Sequence, residues 1–188
     1  MDIPDLPDAA PVSLDAALTA VLVLDLTDVS CSKVPAASAS LTTVRRFLDR
    51  VRAEGATVVF SLGRAPQEVH TDLGRRDNEP TVKSSANKFF RTDLEERLRG
   101  LRITHAVVLG TAANGAVLYT SFAACALGLT VVVPEDAISS RTVVATQIAR
   151  WQLLNQPGFM NERNTALRPQ TVTLSRTDLI SFASRAPR

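Results

Sequence analysis

The stretch that decides the fold is HAVVLGTAANGAVLYTSFAACALGLTVVVPE, His105 to Glu135. It begins with a short apolar run, continues through small and apolar residues over a helical length, and ends with a second apolar run. Near-continuous apolar runs are typical of strands in parallel sheets, because helices cover both faces of such sheets. The stretch is therefore predicted to form a strand, a helix and a second parallel strand, the repeating unit of an α/β fold.

The same alternation of strands and helices extends to both sides of this unit. It predicts one α/β domain with a mostly parallel, Rossmann-like sheet between two helical layers, over residues 18–184. An acidic, proline-rich segment at residues 1–17 is expected to be loose. In such a sheet, ligands bind beyond the carboxyl ends of the strands. Further strands are predicted at 19–26, 57–62, 80–84 and 170–175, and further helices at 40–55, 91–102 and 141–154.

Composition excludes several classes of function. The chain has 188 residues and 45% hydrophobic content, enough for one core, and its net charge of +2 is spread along the sequence. A nucleic-acid partner is therefore not expected. No apolar run approaches the roughly 20 residues of a membrane span, and no leader pattern is present, so we expect a cytoplasmic protein without a membrane partner. Cys31 and Cys125 are far apart in the sequence and lack metal-ligand spacing, so no disulfide and no metal site is predicted. No cofactor is predicted either.

Asp25 is the most informative single residue. Its carboxylate lies inside the apolar run VLVLDL, near the end of the first predicted strand, where the ionised form needs a cation or a hydrogen-bond donor. Lys83, at the end of the TVK strand, could supply that positive charge across the crevice. The alternatives are that Asp25 caps the next loop and that Lys83 is a solvated strand end.

The corner GTAANGA, Gly110 to Ala116, could bind an anion through its backbone. Its glycines permit tight geometry and its alanines keep side chains away from a ligand, so backbone N–H groups could form an oxyanion hole. The alternative is close packing of the helix on the strand. The corner is neither a dinucleotide fingerprint nor a phosphate loop. The residues assigned to substrate binding here are Gly110, Thr111, Ala112, Asn114, Gly115 and Ala116.

The remaining reactive residue types are less informative. His70 lies in a loop and His105 precedes a strand, and both are interpreted as structural. Cys125 lies within a predicted helix and is interpreted as a core residue. Cys31 is an outside candidate for a reactive thiol.

Several blocks of sequence together resemble the isochorismatase-like hydrolases, a superfamily that also contains nicotinamidases and N-carbamoylsarcosine amidases. The blocks are LVLDLTD, VKSSANKFFRTDLEERL, VVLGTAANGAVLYTSFAACALGLTVVVPEDAIS and VTLSRTDLISF. The resemblance implies a six-stranded sheet and a catalytic Asp, Lys and Cys at its carboxyl edge. Asp25 matches the aspartate, and Lys83 is assigned as the lysine because Lys88 falls where the family usually has a small residue. Ala116 stands at the position of the nucleophilic cysteine.

Ala116 changes the mechanism that the resemblance implies, because a methyl group cannot form a covalent thiol intermediate. The true isochorismatases also lack this cysteine, and in their hydrolysis of a vinyl ether the aspartate is thought to donate the proton. We therefore expect a hydrolase of a small carboxylate-bearing metabolite with Asp25 as general acid. The alternatives are a catalytically silent member that binds a small acid or a partner protein, and a slow amidase that activates water directly.

The resemblance also bears on ligands and assembly. The Asp and paired His residues of the nicotinamidase metal site have no counterpart in the loop after the second strand, which again predicts no metal. Arg64, directly after that strand, is the basic residue nominated for substrate binding. Family members commonly assemble as dimers or tetramers, so a homo-oligomer is expected.

Overall fold

Strands and helices alternate along residues 5–183, the part of the chain that the computed structural model describes. The strands are β1 (Val12–Asp15), β2 (Thr19–Leu24), β3 (Thr57–Leu62), β4 (Thr81–Lys83), β5 (His105–Thr111), β6 (Thr130–Pro134), β7 (Ile138–Ser139), β8 (Val172–Ser175) and β9 (Ile180–Ala183). The α-helices are α1 (Asp28–Lys33), α2 (Pro35–Ala53), α3 (Leu94–Gly100), α4 (Leu118–Ala126) and α5 (Val143–Asn155).

The main sheet confirms the predicted α/β class. Its strand order is β4-β3-β2-β5-β6-β8, every neighbouring pair is parallel, and β7 adds to the end of β5. The sheet therefore has seven strands rather than the expected six. The extra strand is only two residues long, too short to leave a hydrophobic pattern in the sequence.

Two hydrophobic cores lie on opposite faces of the sheet, because alternate strand residues point to opposite sides. Val21 and Val23 of β2 pack with α2 in one core. Leu22 and Leu24 pack with α3, α4 and α5 in the other. Both faces of the central strands are thus covered, which explains their continuous apolar sequence.

The amino-terminal segment differs from its prediction. Residues 12–15 were expected to be loose but form β1, which pairs in parallel with β9 in a separate two-stranded sheet. Val12 and Leu14 are buried there, because their alternation places both on one face of the strand. The described residues do not include 1–4 and 184–188. The start of the predicted loose segment and the last residue of the predicted domain, 184, therefore lie outside them.

The first long helix begins earlier than its apolar spacing predicts. The prediction starts at residue 40, whereas α2 starts at Pro35. Proline suits the first helical position because its fixed φ is already helical and its missing N–H would have no partner there. The start of α2 lies near the carboxyl edge of the sheet as a result.

Gly110 allows the central strands to approach at that edge. It pairs with Leu24 and has φ of +120°, a conformation that L side chains rarely adopt. A Cβ atom at Gly110 would lie 2.0 Å from the Leu24 carbonyl oxygen. Only glycine is therefore compatible with this contact between β5 and β2.

We predict that Gly110→Ala lowers the free energy of unfolding by ~2 kcal/mol or more, because backbone atoms must move apart. Gly115→Ala is the matched control, since its Cβ would meet only the Ala112 Cβ, at 3.7 Å. The control should change the free energy by less than ~1 kcal/mol. Urea unfolding followed by circular dichroism measures both, and equal stabilities of the two variants would contradict the steric argument.

Candidate active site

Asp25 lies directly after β2, at the carboxyl edge of the sheet between β3 and β5. Its N–H donates to the Ser61 carbonyl oxygen at 3.0 Å, and its own carbonyl oxygen accepts from the Ser30 hydroxyl at 2.6 Å. These bonds hold a backbone with φ of +53°. The chain therefore turns sharply at Asp25, where its carboxyl group lies beside the end of the strand.

Lys88 is the charge partner of Asp25. Its Nζ lies 2.8 Å from Oδ1 and 2.7 Å from Oδ2 of the carboxylate. The lysine side chain is 1% exposed, whereas that of Asp25 is 22% exposed. A third contact of Nζ, to the Ser84 carbonyl oxygen at 3.5 Å, is at the limit of hydrogen bonding. The ammonium group is thus directed at protein oxygens, and only the carboxylate is partly open to solvent.

The predicted pairing of Asp25 with Lys83 is wrong. Lys83 is the last residue of β4, where it is exposed while the preceding Val82 packs into the core. Because neighbouring strand residues point to opposite faces, the burial of Val82 turns Lys83 outward. The short strand thus ends before Lys88, which lies in the irregular segment that follows.

The segment that carries Lys88 is held by neighbouring hydroxyl groups. The Lys88 N–H donates to Thr120 Oγ1 at 3.2 Å, and the Thr120 hydroxyl donates to the Ala86 carbonyl oxygen, also at 3.2 Å. Thr92 Oγ1 donates to the Lys88 carbonyl oxygen at 2.6 Å. The signal available in the sequence was the aromatic residue next to Lys88, Phe89, which packs against the core.

Burial raises the pKa of Asp25 above the ordinary aspartate value, because desolvation disfavours the charged form. The positive charge and hydrogen bonds of Lys88 act in the opposite direction and offset only part of this effect on the pKa. The nearby Ser61 hydroxyl acts in the same direction as Lys88, although it makes no hydrogen bond of normal geometry among the described residues. Asp25 can therefore hold a proton at a higher pH than a solvated aspartate.

The predicted anion-binding corner adjoins this pair. The chain leaves β5 at Thr111, forms a π-helical turn from Ala113 to Val117, and continues as α4. The Asn114 N–H donates to Ser140 Oγ at 3.3 Å, and the Gly115 N–H donates to the Ala112 carbonyl oxygen at 3.0 Å. These two amides already have partners, so an anion site here would depend on other amides of the corner. Ala116 is buried near the start of α4.

The other candidate residues are separate from the ion pair. Arg64 is exposed on the loop after β3, and its role in substrate binding stays a prediction. Cys31 and Cys125 are both buried, and burial raises both thiol pKa values, that of Cys125 to about 12. A raised pKa disfavours the reactive thiolate, so the geometry does not support Cys31 as a nucleophile.

Among residues 5–183, the histidines are not part of a metal-binding cluster, and the cavity beside the start of β3 does not include Asp25. His70 Nε2 lies 3.4 Å from an Asp28 oxygen near the surface, and burial lowers the pKa of His105. No group of three or more His, Cys, Asp or Glu side chains within residues 5–183 could hold a metal ion. A cavity of about 650 Å³ lies beside the start of β3, lined by Arg52 and Arg97 and not by Asp25.

The family to which this geometry belongs follows from comparison with known proteins. The model of the isochorismatase domain matches residues 19–160, which include Asp25, Lys88 and the corner after β5. The chain belongs to the isochorismatase family. No curated protein sequence matches it. Within residues 5–183, no helix of this family member is both long and apolar enough to span a membrane.

Solved structures show the same isochorismatase fold. An isochorismatase-like hydrolase from Alkaliphilus metalliredigens has a TM-score of 0.72 and 17% identity, covering 85% of this chain and 95% of its own. A cysteine hydrolase from Pseudomonas syringae pv. phaseolicola has a TM-score of 0.75 and 16% identity, covering 91% and 94%. N-carbamoylsarcosine amidase from Thermoplasma acidophilum has a TM-score of 0.70 and 17% identity, covering 85% and 96%. Identities this low support a shared fold and leave the substrate open.

We predict that Lys88→Met raises the pKa of Asp25 further, because it removes the positive charge that stabilises the carboxylate. Lys83→Met, at the exposed end of β4, should leave that pKa unchanged. The measurement is a ¹³C NMR titration of aspartate carboxyl groups, with Asp25 assigned from its loss in Asp25→Asn. An equal pKa of Asp25 in the parent and Lys88→Met would contradict the pairing.

Proposed function

We propose that this protein is an isochorismatase-like hydrolase that cleaves a small carboxylate-bearing metabolite without a cysteine nucleophile, using Asp25 as general acid. The observation that carries the proposal is the carboxyl group of Asp25, which is partly exposed, has a raised pKa and contacts a buried ammonium group. A proton donor needs a pKa closer to the working pH than that of a solvated aspartate.

The chemistry suited to this pair is hydrolysis of an enol ether. Asp25 gives its proton to the terminal carbon of the double bond, and the adjacent carbon becomes an oxocarbenium centre. Water adds to that centre and returns a proton to Asp25. The resulting hemiketal breaks into a ketone and an alcohol, so the enzyme regains its starting state without a covalent intermediate.

Lys88 acts on Asp25 and not on the substrate in this proposal. Its ammonium group contacts both carboxylate oxygens and the Ser84 carbonyl oxygen, and its side chain is almost fully buried. When Asp25 releases its proton, the new carboxylate charge develops beside a cation that is already in place. The substrate carboxylate then needs other donors, for which Arg64 and the corner residues Gly110, Thr111, Ala112 and Ala116 remain our candidates.

Water is the nucleophile because neither cysteine is suited to that role. Both thiols are buried with raised pKa values, and neither is among the groups that shift the pKa of Asp25. Ala116 occupies the position that the family resemblance assigns to the cysteine, and its methyl group takes no part in bond exchange. Direct attack of water on an amide would proceed without proton donation by Asp25 and without a covalent intermediate. Amides are therefore the less favoured substrates.

The wider setting of the protein is part of the same proposal. A small-molecule substrate accords with the family, and a net charge of +2 is low for a protein that binds nucleic acid. We propose a cytoplasmic homo-oligomer that needs no metal or cofactor. Gel filtration with light scattering tests the assembly directly.

We predict that Asp25→Asn lowers kcat/KM by roughly 100-fold or more, because the amide keeps the shape of the carboxyl group and cannot donate its proton. The parent and the variant are incubated with isochorismate, other enol-ether acids and a set of amides, and products are followed by NMR. Lys83→Met, which removes an exposed charge at the end of β4, is the control and should keep the parent activity. Equal turnover by the parent and Asp25→Asn would contradict the acid role.

The outcomes also separate the alternatives. If neither the parent nor the variant turns over any compound while both bind one equally, the silent binding protein replaces the hydrolase. If amides are cleaved and Asp25→Asn leaves that rate unchanged, directly activated water replaces acid catalysis by Asp25. A thiol-blocking reagent should have no effect on the parent in the proposed mechanism.

The pH dependence gives an independent prediction. The active form carries a proton on Asp25, so kcat/KM should fall as pH rises through the pKa of this residue. Because Lys88 lowers that pKa, Lys88→Met should move the falling limb to higher pH, even if its maximal rate is reduced. A limb at the same pH in both proteins would show that another group controls the rate.

A further inference from the structure

The helices α4 and α5 contact each other on one side of the sheet, and each exposes a stripe of residues at positions i, i+3, i+4 and i+7. Because both helices cover the same side of the sheet, the two stripes point away from it in the same direction. The stripe of α4 consists of Tyr119, Phe122, Ala123 and Ala126, and that of α5 consists of Val144, Gln147, Ile148 and Trp151. We call these two stripes together the α4–α5 face.

The α4–α5 face carries no charged residue, although charged residues make up 21% of the chain. The sequence of α4 contains none, and the single charged residue of α5, Arg150, is half-buried and pairs with Glu135. By contrast, α2 on the opposite side of the sheet exposes Arg45, Arg46 and Asp49. The solvent side of a surface helix is ordinarily polar or charged. An uncharged, largely apolar face is typical of the centre of a protein interface.

The side chains of the α4–α5 face are of the kinds that contribute most to binding between proteins. Trp and Tyr are enriched among the residues that dominate binding energy, because each covers a large apolar area with few rotatable bonds. Tyr119 is 59% exposed and Val144 is 57% exposed, so a partner would remove much apolar surface from water. Ala123 and Ala126 lie beside them and leave shallow positions into which a bulky side chain can pack. The face thus offers both bulky side chains and the hollows that receive them.

A second copy of this chain fits the α4–α5 face better than a charged partner does. In a two-fold dimer the same patch lies on both sides of the interface, so a charged patch would repel its own copy. An uncharged patch has no such repulsion. We propose that two copies of this chain associate through their α4–α5 faces as a two-fold symmetric dimer. This inference rests on the homo-oligomer of the proposed function and is independent of the reaction at Asp25.

The dimensions of the α4–α5 face suit the centre of such an interface. With 13 residues α5 is about 20 Å long, and two helices side by side are about 20 Å wide. The face therefore covers on the order of 400 Å², about half of the roughly 800 Å² that each partner of a standard interface buries. Glu95 and Arg99 of α3 line a small pocket together with Leu127, directly after α4. These charged residues are placed to form the polar rim of the interface.

The test follows the full chain by sedimentation velocity over a range of protein concentrations. We expect a dimer of the parent and a dimer Kd weakened roughly 100-fold or more by Val144→Lys, because two like charges would enter one apolar interface. Val144→Glu alone should have the same effect, whereas an equimolar mixture of the two variants should regain the dimer. Leu101→Lys is the matched control, since Leu101 is 53% exposed directly after α3 and outside the face. It should keep the parent Kd.

The fluorescence of Trp151 gives a second measurement, because the chain contains a single tryptophan. Its emission maximum should move to shorter wavelength as the concentration rises through the dimer Kd, since the partly exposed indole loses contact with water. The same shift is expected in Leu101→Lys, and Val144→Lys should show it only at much higher concentration.

Three results would overturn the proposal. A parent that stays monomeric at every concentration would remove both this interface and the homo-oligomer. A dimer that Val144→Lys leaves intact, with constant Trp151 emission, would place the contact on another face while the homo-oligomer stands. Loss of the dimer in both variants without recovery in their mixture would indicate a head-to-tail contact instead of a two-fold one. None of these measurements uses a substrate, so the outcome for the hydrolase is decided separately.

Discussion

The contact between Gly110 and the carbonyl oxygen of Leu24 is the constraint on which the carboxyl edge of this protein depends. Any side chain at residue 110 would begin where the oxygen already lies. The absence of a side chain lets β5 run beside β2 to its very end. The turn at Asp25 and the turn into α4 are therefore neighbours in space, although Asp25 and Gly110 are 85 positions apart in the chain.

The Asp25–Lys88 pair shows how this edge accommodates a buried charge. Desolvating an ammonium group is costly, and a single carboxylate contact rarely offsets that cost unless the geometry is good and the remaining hydrogen-bonding capacity is met. Here both carboxylate oxygens contact Nζ, and Thr120 holds the backbone of the lysine segment. Desolvation still outweighs this stabilisation in setting the pKa of Asp25. The raised pKa that results is what the proposed proton-donating role of Asp25 requires.

The sequence by itself determined the α/β class, the central strands and Asp25, because these depend on local signals. Continuous apolar runs mark strands covered on both faces, and a carboxylate at the end of such a run stands out against them. The tertiary structure decided that Lys88 and not Lys83 meets Asp25, that residues 12–15 pair with β9, and that β7 extends β5. Each of these depends on contacts between distant segments. Counting along the chain could not choose between two lysines five positions apart, because the choice depends on where β4 ends and which face Val82 buries.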